Sequence, residues 1–157
     1  MNTRKQDGTT TAEFAVVGLV FFVVLFGVIE TGRLMFVYNM LEEATRRGAR
    51  MAAVCQINDA AIQQVAVFNQ SGDAGASPLV GSLTPAQVQI NYLDLQGNFI
   101  GDPTGNFGQI QFVQATVVGY QHQIIIPTRF TTITVPTFRT TIPRESLGVS
   151  REGFTPC

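Results

Sequence analysis

Few side chains in this sequence combine the type and the spacing needed for chemistry. Glu13 is a carboxylate at the mouth of an unbroken apolar run, Phe14 to Ile29, and Glu30 and Arg33 form an i,i+3 pair just past its end. A carboxylate carried into a bilayer costs roughly 2.5 kcal/mol or more, so Glu13 calls for an explanation. One is that it sits at headgroup level beside Arg4 and Lys5. The Glu30 and Arg33 pair suits a membrane surface or a junction between neighbouring stems.

Cys55 and Cys157 are the two cysteines. With no CxxC spacing and no nearby histidine they do not suit zinc. They read as a single disulfide made in an oxidising compartment or as two unrelated thiols. A bond between them would close a loop of about 100 residues and contribute up to about 4 kcal/mol in the chain-entropy model. His122 is the only histidine. That excludes a multi-histidine metal site and a serine–histidine triad, and its place among glutamines reads as a surface or edge position. Asp94 and Asp102, beside the repeated Gly97-Asn98-Phe99 and Gly105-Asn106-Phe107, do not meet calcium-loop spacing and read as turns. Asn69-Gln70-Ser71 matches a glycosylation triplet and is given no role. No catalytic residue, metal or cofactor is expected. Charged residues make up 13% of the chain and the net charge is -1, which leaves no basic field for nucleic acid.

The elements that must position these residues begin with the apolar run. At 1.5 Å per residue Phe14 to Ile29 is about 24 Å long, and extension back through Thr9 gives about 32 Å, enough to span the hydrocarbon core. The residues just after the run, Glu30-Thr31-Gly32-Arg33, offer no signal-peptidase site, so the segment is expected to be retained. Nothing from Glu30 to Cys55 breaks a helix, and Glu42 with Arg46 and Glu43 with Arg47 are favourable i,i+4 pairs. One helix is therefore predicted from about Thr9 to Val54. Val37, Leu41, Ala44, Gly48, Met51 and Cys55 form an apolar stripe along it, the seat for whatever packs there.

Beyond the stem, Asn58 or Asp59 is expected to cap a short helix ending near Phe68, and Gly72 to Gly81 reads as loop. Val88, Ile90 and Tyr92 alternate with polar residues as a half-buried strand, and Asp94 to Gly108 is a glycine-rich connection. Gln111 to Ile126 reads as one long strand ending at Pro127, and Thr131 to Ile142 as another interrupted by Pro136. Three strands on one face of the stem give the predicted class: α+β, a long N-terminal transmembrane and stem helix carrying a small C-terminal antiparallel sheet.

Two strings then point to a family. Gly8-Thr9-Thr10-Thr11-Ala12-Glu13-Phe14, a glycine followed after four residues by Glu-Phe at the head of an apolar helix, resembles the site cut by prepilin peptidases in the type IV pilin superfamily. Phe26-Gly27-Val28-Ile29-Glu30-Thr31-Gly32-Arg33 and Ala44-Thr45-Arg46-Arg47-Gly48-Ala49-Arg50 resemble strings of TadE-like proteins, minor pilins of the Tad (tight adherence) pilus. The family's alanine-rich stretch after the glycine is here Thr9 to Ala12. The resemblance implies cleavage between Gly8 and Thr9. It also implies that Glu13 pairs with the freed amine of a neighbouring subunit, with Phe14 beside it.

The implied division is a leader at 1–8, a transmembrane segment at 9–30, a stem at 31–55 and an α+β head at 56–157. The implied function is that of a minor pilin or pseudopilin, not an enzyme, in a pilus used for adhesion and surface colonisation. Its implied partners are the membrane, a prepilin peptidase, other pilin subunits, the Tad assembly machinery and, for an exposed tip, a host or surface receptor. The implied location is the bacterial inner membrane, single-pass with the head periplasmic, or extracellular once in the fibre. Arg33, Arg46, Arg47 and Arg50 after the span outnumber Arg4 and Lys5 before it, so charge counting alone favours the opposite orientation. The alternative function is an uncleaved membrane-anchored sensor or binding module.

Overall fold

The computed structural model describes residues 7–125, 131–154 and 157. One helix dominates it: α1, Asp7–Val54, is 48 residues long, about 72 Å at the standard rise. Its lower part carries apolar side chains on every face and packs against nothing, so Phe14 is 78% exposed and the large residues through Ile29 are all exposed. It is long and apolar enough to cross a membrane. Its upper part is amphipathic. Val37, Leu41, Ala44, Gly48 and Cys55 of the expected stripe are buried and Met51 is half-buried. The expected ion pair of Glu42 with Arg46 forms at 2.5 Å. Arg47, however, lies 4.8 Å over the Phe68 ring, where the sequence pairs it with Glu43. A cation held on an aromatic face at a packed junction gains more than an exposed i,i+4 pair offers.

The short helix α2, Ala60–Ala66, is capped by Asp59, whose side chain accepts from the Ala61 amide, as the sequence predicts. The strands beyond it are β1 (Val88–Leu93), β2 (Phe112–Val117), β3 (Gln121–Ile124), β4 (Thr131–Thr134), β5 (Phe138–Pro143), β6 (Val149–Ser150) and β7 (Gly153–Phe154). β1, β2 and β5 make a three-stranded antiparallel sheet with β2 in the centre. Val113 pairs with both Tyr92 and Ile142. The run Gln111 to Ile126, read from sequence as one strand, is two. It breaks at Gly119, whose φ of +68° a β-branched residue would resist, and the chain turns from β2 into β3 there. β3 and β4 leave the sheet as a separate hairpin, and β5 returns to pair with β2 after Pro136. The expected strand end at Ile126 and Pro127 lies outside the described residues.

The core lies between the stem and the sheet in two sections. One surrounds Leu41 with Val67, Leu83, Val88, Val117 and Tyr120, and the other surrounds Cys55 with Ile62, Tyr92, Ile110, Val113 and Leu147. At Gly48 the stem passes close to both the sheet and α2. A Cβ on it would come within 3.2 Å of the Cβ atoms of both Ala115 on β2 and Ala66 on α2. The buried hydroxyl of Thr45 hydrogen-bonds Thr140 on β5 at 2.8 Å, adding a polar tie between stem and sheet.

Candidate functional site

The predicted site residues fall in three places along the stem, and the fold does not gather them. Gly8 and Thr9 lie in the first turn of α1, with Glu13 and Phe14 just beyond, both exposed. Arg4 and Lys5 of the leader lie outside the described residues. Helical rise puts Glu30 about 25 Å further along and Cys55 about 38 Å beyond that. Each place therefore has its own chemistry.

At the middle place the sequence foresaw only half of the arrangement. Glu30 and Arg33 do pair: one guanidinium nitrogen donates to both carboxylate oxygens, at 2.8 and 3.1 Å. The head supplies two further partners. His122 Nε2 lies 3.0 Å from Glu30 Oε1, and the Ile125 amide donates to Oε2 at 3.4 Å. His122 is 2% exposed, which corrects its reading as a surface residue, while β3, in a two-stranded sheet, is the edge strand the alternative reading expected. The signal was available in the alternation of β3. Tyr120 and His122 share a parity, so a buried Tyr120 carries His122 inward with it. What was missing was the turn at Gly119 that aims this strand at Glu30. Around the junction, Arg33, Phe36, Leu79, Tyr120 and His122 line an open cleft of about 420 Å³.

At the upper end the chain terminus returns to the stem. Cys55 and Cys157 form a disulfide with a Cα separation of 5.6 Å, so the paired reading holds. The Cys157 amide donates to Asp59 Oδ2 at 2.8 Å, which joins the same residue that caps α2. The last carbonyls of a helix lack partners within it. Here Ala53 O accepts from the Glu145 and Leu147 amides, and Val54 O accepts from the Gly148 amide and the Ser146 hydroxyl. Gly148 has φ +80° and lies against the Gln56 backbone, where a Cβ would come within 2.6 Å of the amide nitrogen. No other residue fits that turn without displacing the stem's end.

The aspartate turns are satisfied internally. Hydrogen bonds from the Asn98 side chain and amide hold the Asp94 carboxyl below its ordinary value, and the Gly105 amide with the Thr104 hydroxyl does the same for Asp102. Among the described residues no cluster of histidine, cysteine or acidic side chains could hold a metal.

The segment that carries the two lower places, from Gly8 through Glu13 and Glu30 to the arginines of the stem, can be compared with known proteins as a unit. Residues 8–50 match the family model of TadE-like proteins. No curated protein and no solved structure matches the chain. The TadE-like segment ends inside the upper half of α1. It contains Gly8, Thr9, Glu13, Phe14, Glu30 and Arg33, while His122, Cys55 and Cys157 lie outside it. The two lower places therefore fall within the family's segment, and the partners the head brings to them fall beyond it.

Proposed function

We propose that the chain is a minor pilin or pseudopilin of a Tad pilus system, a structural subunit and not a catalyst. The observation that carries this reading is the TadE-like match over residues 8–50, a segment that begins at Gly8 and includes Glu13 five residues later. A prepilin peptidase cuts between Gly8 and Thr9. The segment 9–30 holds the trimmed chain in the bacterial inner membrane, 31–55 forms the stem and 56–157 the head. The head faces the periplasm, which the disulfide supports, since such bonds persist in oxidising compartments. Other pilin subunits and the Tad assembly machinery are its partners, and adhesion is the output of the fibre it serves.

Glu13 gives the proposal its mechanism. An ionised carboxylate is unfavourable in lipid, whereas the amine freed on Thr9 of a neighbouring subunit is a cation in the same layer. At low dielectric the attraction between them is strong, so assembly removes a cost that the isolated subunit bears. An uncleaved sensor or binding module leaves Glu13 and its spacing from Gly8 without a role.

The test is the intact mass of the protein extracted from membranes of cells with and without their prepilin peptidase. Loss of residues 1–8 only where the peptidase is present is the expected result, and retention in both would sink the pilin mechanism. Glu13→Gln keeps the size and removes the charge. It is expected to insert and be cleaved normally yet impair piliation, and normal piliation would count against the pairing role.

A further inference from the structure

The cleft beside the Glu30 junction carries polar atoms that the junction does not use. Its walls include Arg33 and Phe36 of α1, Leu79 and Ser82 of the loop before β1, and Tyr120 and His122 at the head of β3. Tyr120 is 5% exposed and His122 2%, yet neither the Tyr120 hydroxyl nor His122 Nδ1 has a hydrogen-bond partner among the described residues. Neither atom is sealed in, as the unpartnered Tyr92 hydroxyl is, so both open on the cleft they line. Side chains packed this deeply cannot swing out, so their free polar atoms keep a fixed direction. The loop wall is built as well. The buried Ser77 hydroxyl accepts from the Leu79 and Val80 amides, and the Ser77 amide donates to the Leu83 carbonyl at 2.7 Å. Leu79 and Ser82 are thus held in place in advance, which lowers the ordering cost of binding.

Hydrogen-bonding capacity decides what such a cleft accepts. The ionised Glu30 carboxylate, already paired with Arg33, can only accept, so His122 Nε2 donates to it. The neutral imidazole then presents Nδ1 to the cleft as an acceptor. Arg33 spends one guanidinium nitrogen on Glu30 and keeps further N–H donors, while the Tyr120 and Ser82 hydroxyls both donate and accept. The charges of Glu30 and Arg33 compensate each other, which leaves no field to select an ion. The occupant must therefore give a hydrogen to Nδ1 and lone pairs to Arg33 while staying neutral. Neighbouring hydroxyls on one ring do both. Phe36 and Leu79, both exposed, add an apolar rim on which the C–H face of a sugar ring can lie. The volume of about 420 Å³ falls within the range of small-molecule sites, about 300–1,000 Å³.

We propose that this cleft binds a neutral sugar ring. One hydroxyl donates to His122 Nδ1, another accepts from Arg33, the Tyr120 and Ser82 hydroxyls complete the set, and Phe36 lies under the C–H face. The site needs only the folded junction and stands whether or not the chain is a pilin. It opens about 5–9 Å beyond Glu30 along the stem. A free sugar and one carried on a lipid present the same chemistry to it.

Full-length protein in phosphatidylcholine nanodiscs is titrated with methyl glucoside, methyl galactoside, N-acetylglucosamine and inorganic phosphate. Saturation-transfer NMR reads the ligand and amide shifts read the protein. At least one sugar is expected to bind saturably at millimolar concentration, with shifts at Ser82 and His122 and the strongest transfer to the C–H protons of one ring face. Tyr120→Phe removes only a hydroxyl, as does Ser82→Ala, and each is expected to weaken binding about three- to tenfold while the other amide shifts of the head stay in place. Gln89→Ala, on the exposed face of β1, is expected to change nothing. Nanodiscs carrying glucosyl diacylglycerol separate the sources: shifts at Ser82 and His122 from that lipid alone support a membrane-borne sugar in the same cleft. Saturable binding of no sugar, free or lipid-borne, overturns the proposal. Phosphate binding tighter than every sugar overturns it in favour of an anion site. Sugar binding that Tyr120→Phe and Ser82→Ala leave unchanged lies elsewhere on the surface and overturns it too.

Discussion

The lower and upper halves of α1 are one continuous helix with two different surfaces. Below Glu30 the side chains are apolar all round and none of the large ones is buried, whereas from Val37 to Cys55 a single stripe is buried beneath a sheet and a short helix. Backbone conformation does not distinguish the halves; the angular distribution of apolar residues does. A helix apolar on every side needs lipid or other helices around it, and one with a stripe needs a single partner surface. The change occurs within about two turns, and the charges of Glu30 and Arg33 mark it.

Substitutions that are chemically alike but placed in different halves should therefore have opposite consequences. Leu41→Ala removes a fully buried side chain from the core and is expected to cost the head about 2–5 kcal/mol. Leu19→Ala, in the exposed lower half, is expected to leave head stability unchanged; urea unfolding of both variants in micelles, followed by circular dichroism of the strands, makes the comparison. Equal losses would mean that the halves are not independent. Replacing both cysteines by serine opens the long loop and is expected to cost up to about 4 kcal/mol in the same assay, with membrane insertion unaffected. His122→Ala leaves Glu30 with Arg33 and the Ile125 amide. An expected loss of about 1–3 kcal/mol is confined to the hairpin, so amide exchange should accelerate in β3 and β4 while β1 and β2 keep their protection. Uniform acceleration would show instead that the hairpin and the sheet unfold together.

Local pattern made the stem legible. The stripe recurs at helical spacing, the apolar run is long enough to span, and Asp59 precedes α2 as a capping residue should. What was not legible depends on contacts distant in sequence. The residues from Gln111 to Ile126 are uniformly strand-forming, so the break at Gly119 has only a lone glycine to announce it, which reads equally well as a bulge. The pairing of β2 with β5 across an intervening hairpin comes from packing against the stem and not from the order of the strands. Strands of two residues, β6 and β7, fall below what alternation can reveal. Of the candidate site, Glu30 and Arg33 were visible as neighbours on one helix, but His122 and Ile125 reach them from over 90 residues away.

The division of α1 is tested most directly by single spin labels introduced along residues 14–54 of the full chain in vesicles, read for collision with oxygen and with a water-soluble nickel complex. The account predicts that labels from Phe14 to Ile29 meet oxygen and not nickel on every face. Above Arg33 it predicts a helical period in which Val37, Leu41, Ala44 and Thr45 meet neither reagent and the exposed Glu42, Glu43 and Arg46 meet nickel. Nickel access throughout Phe14 to Ile29, or a helical period in that stretch like the one above it, would contradict it.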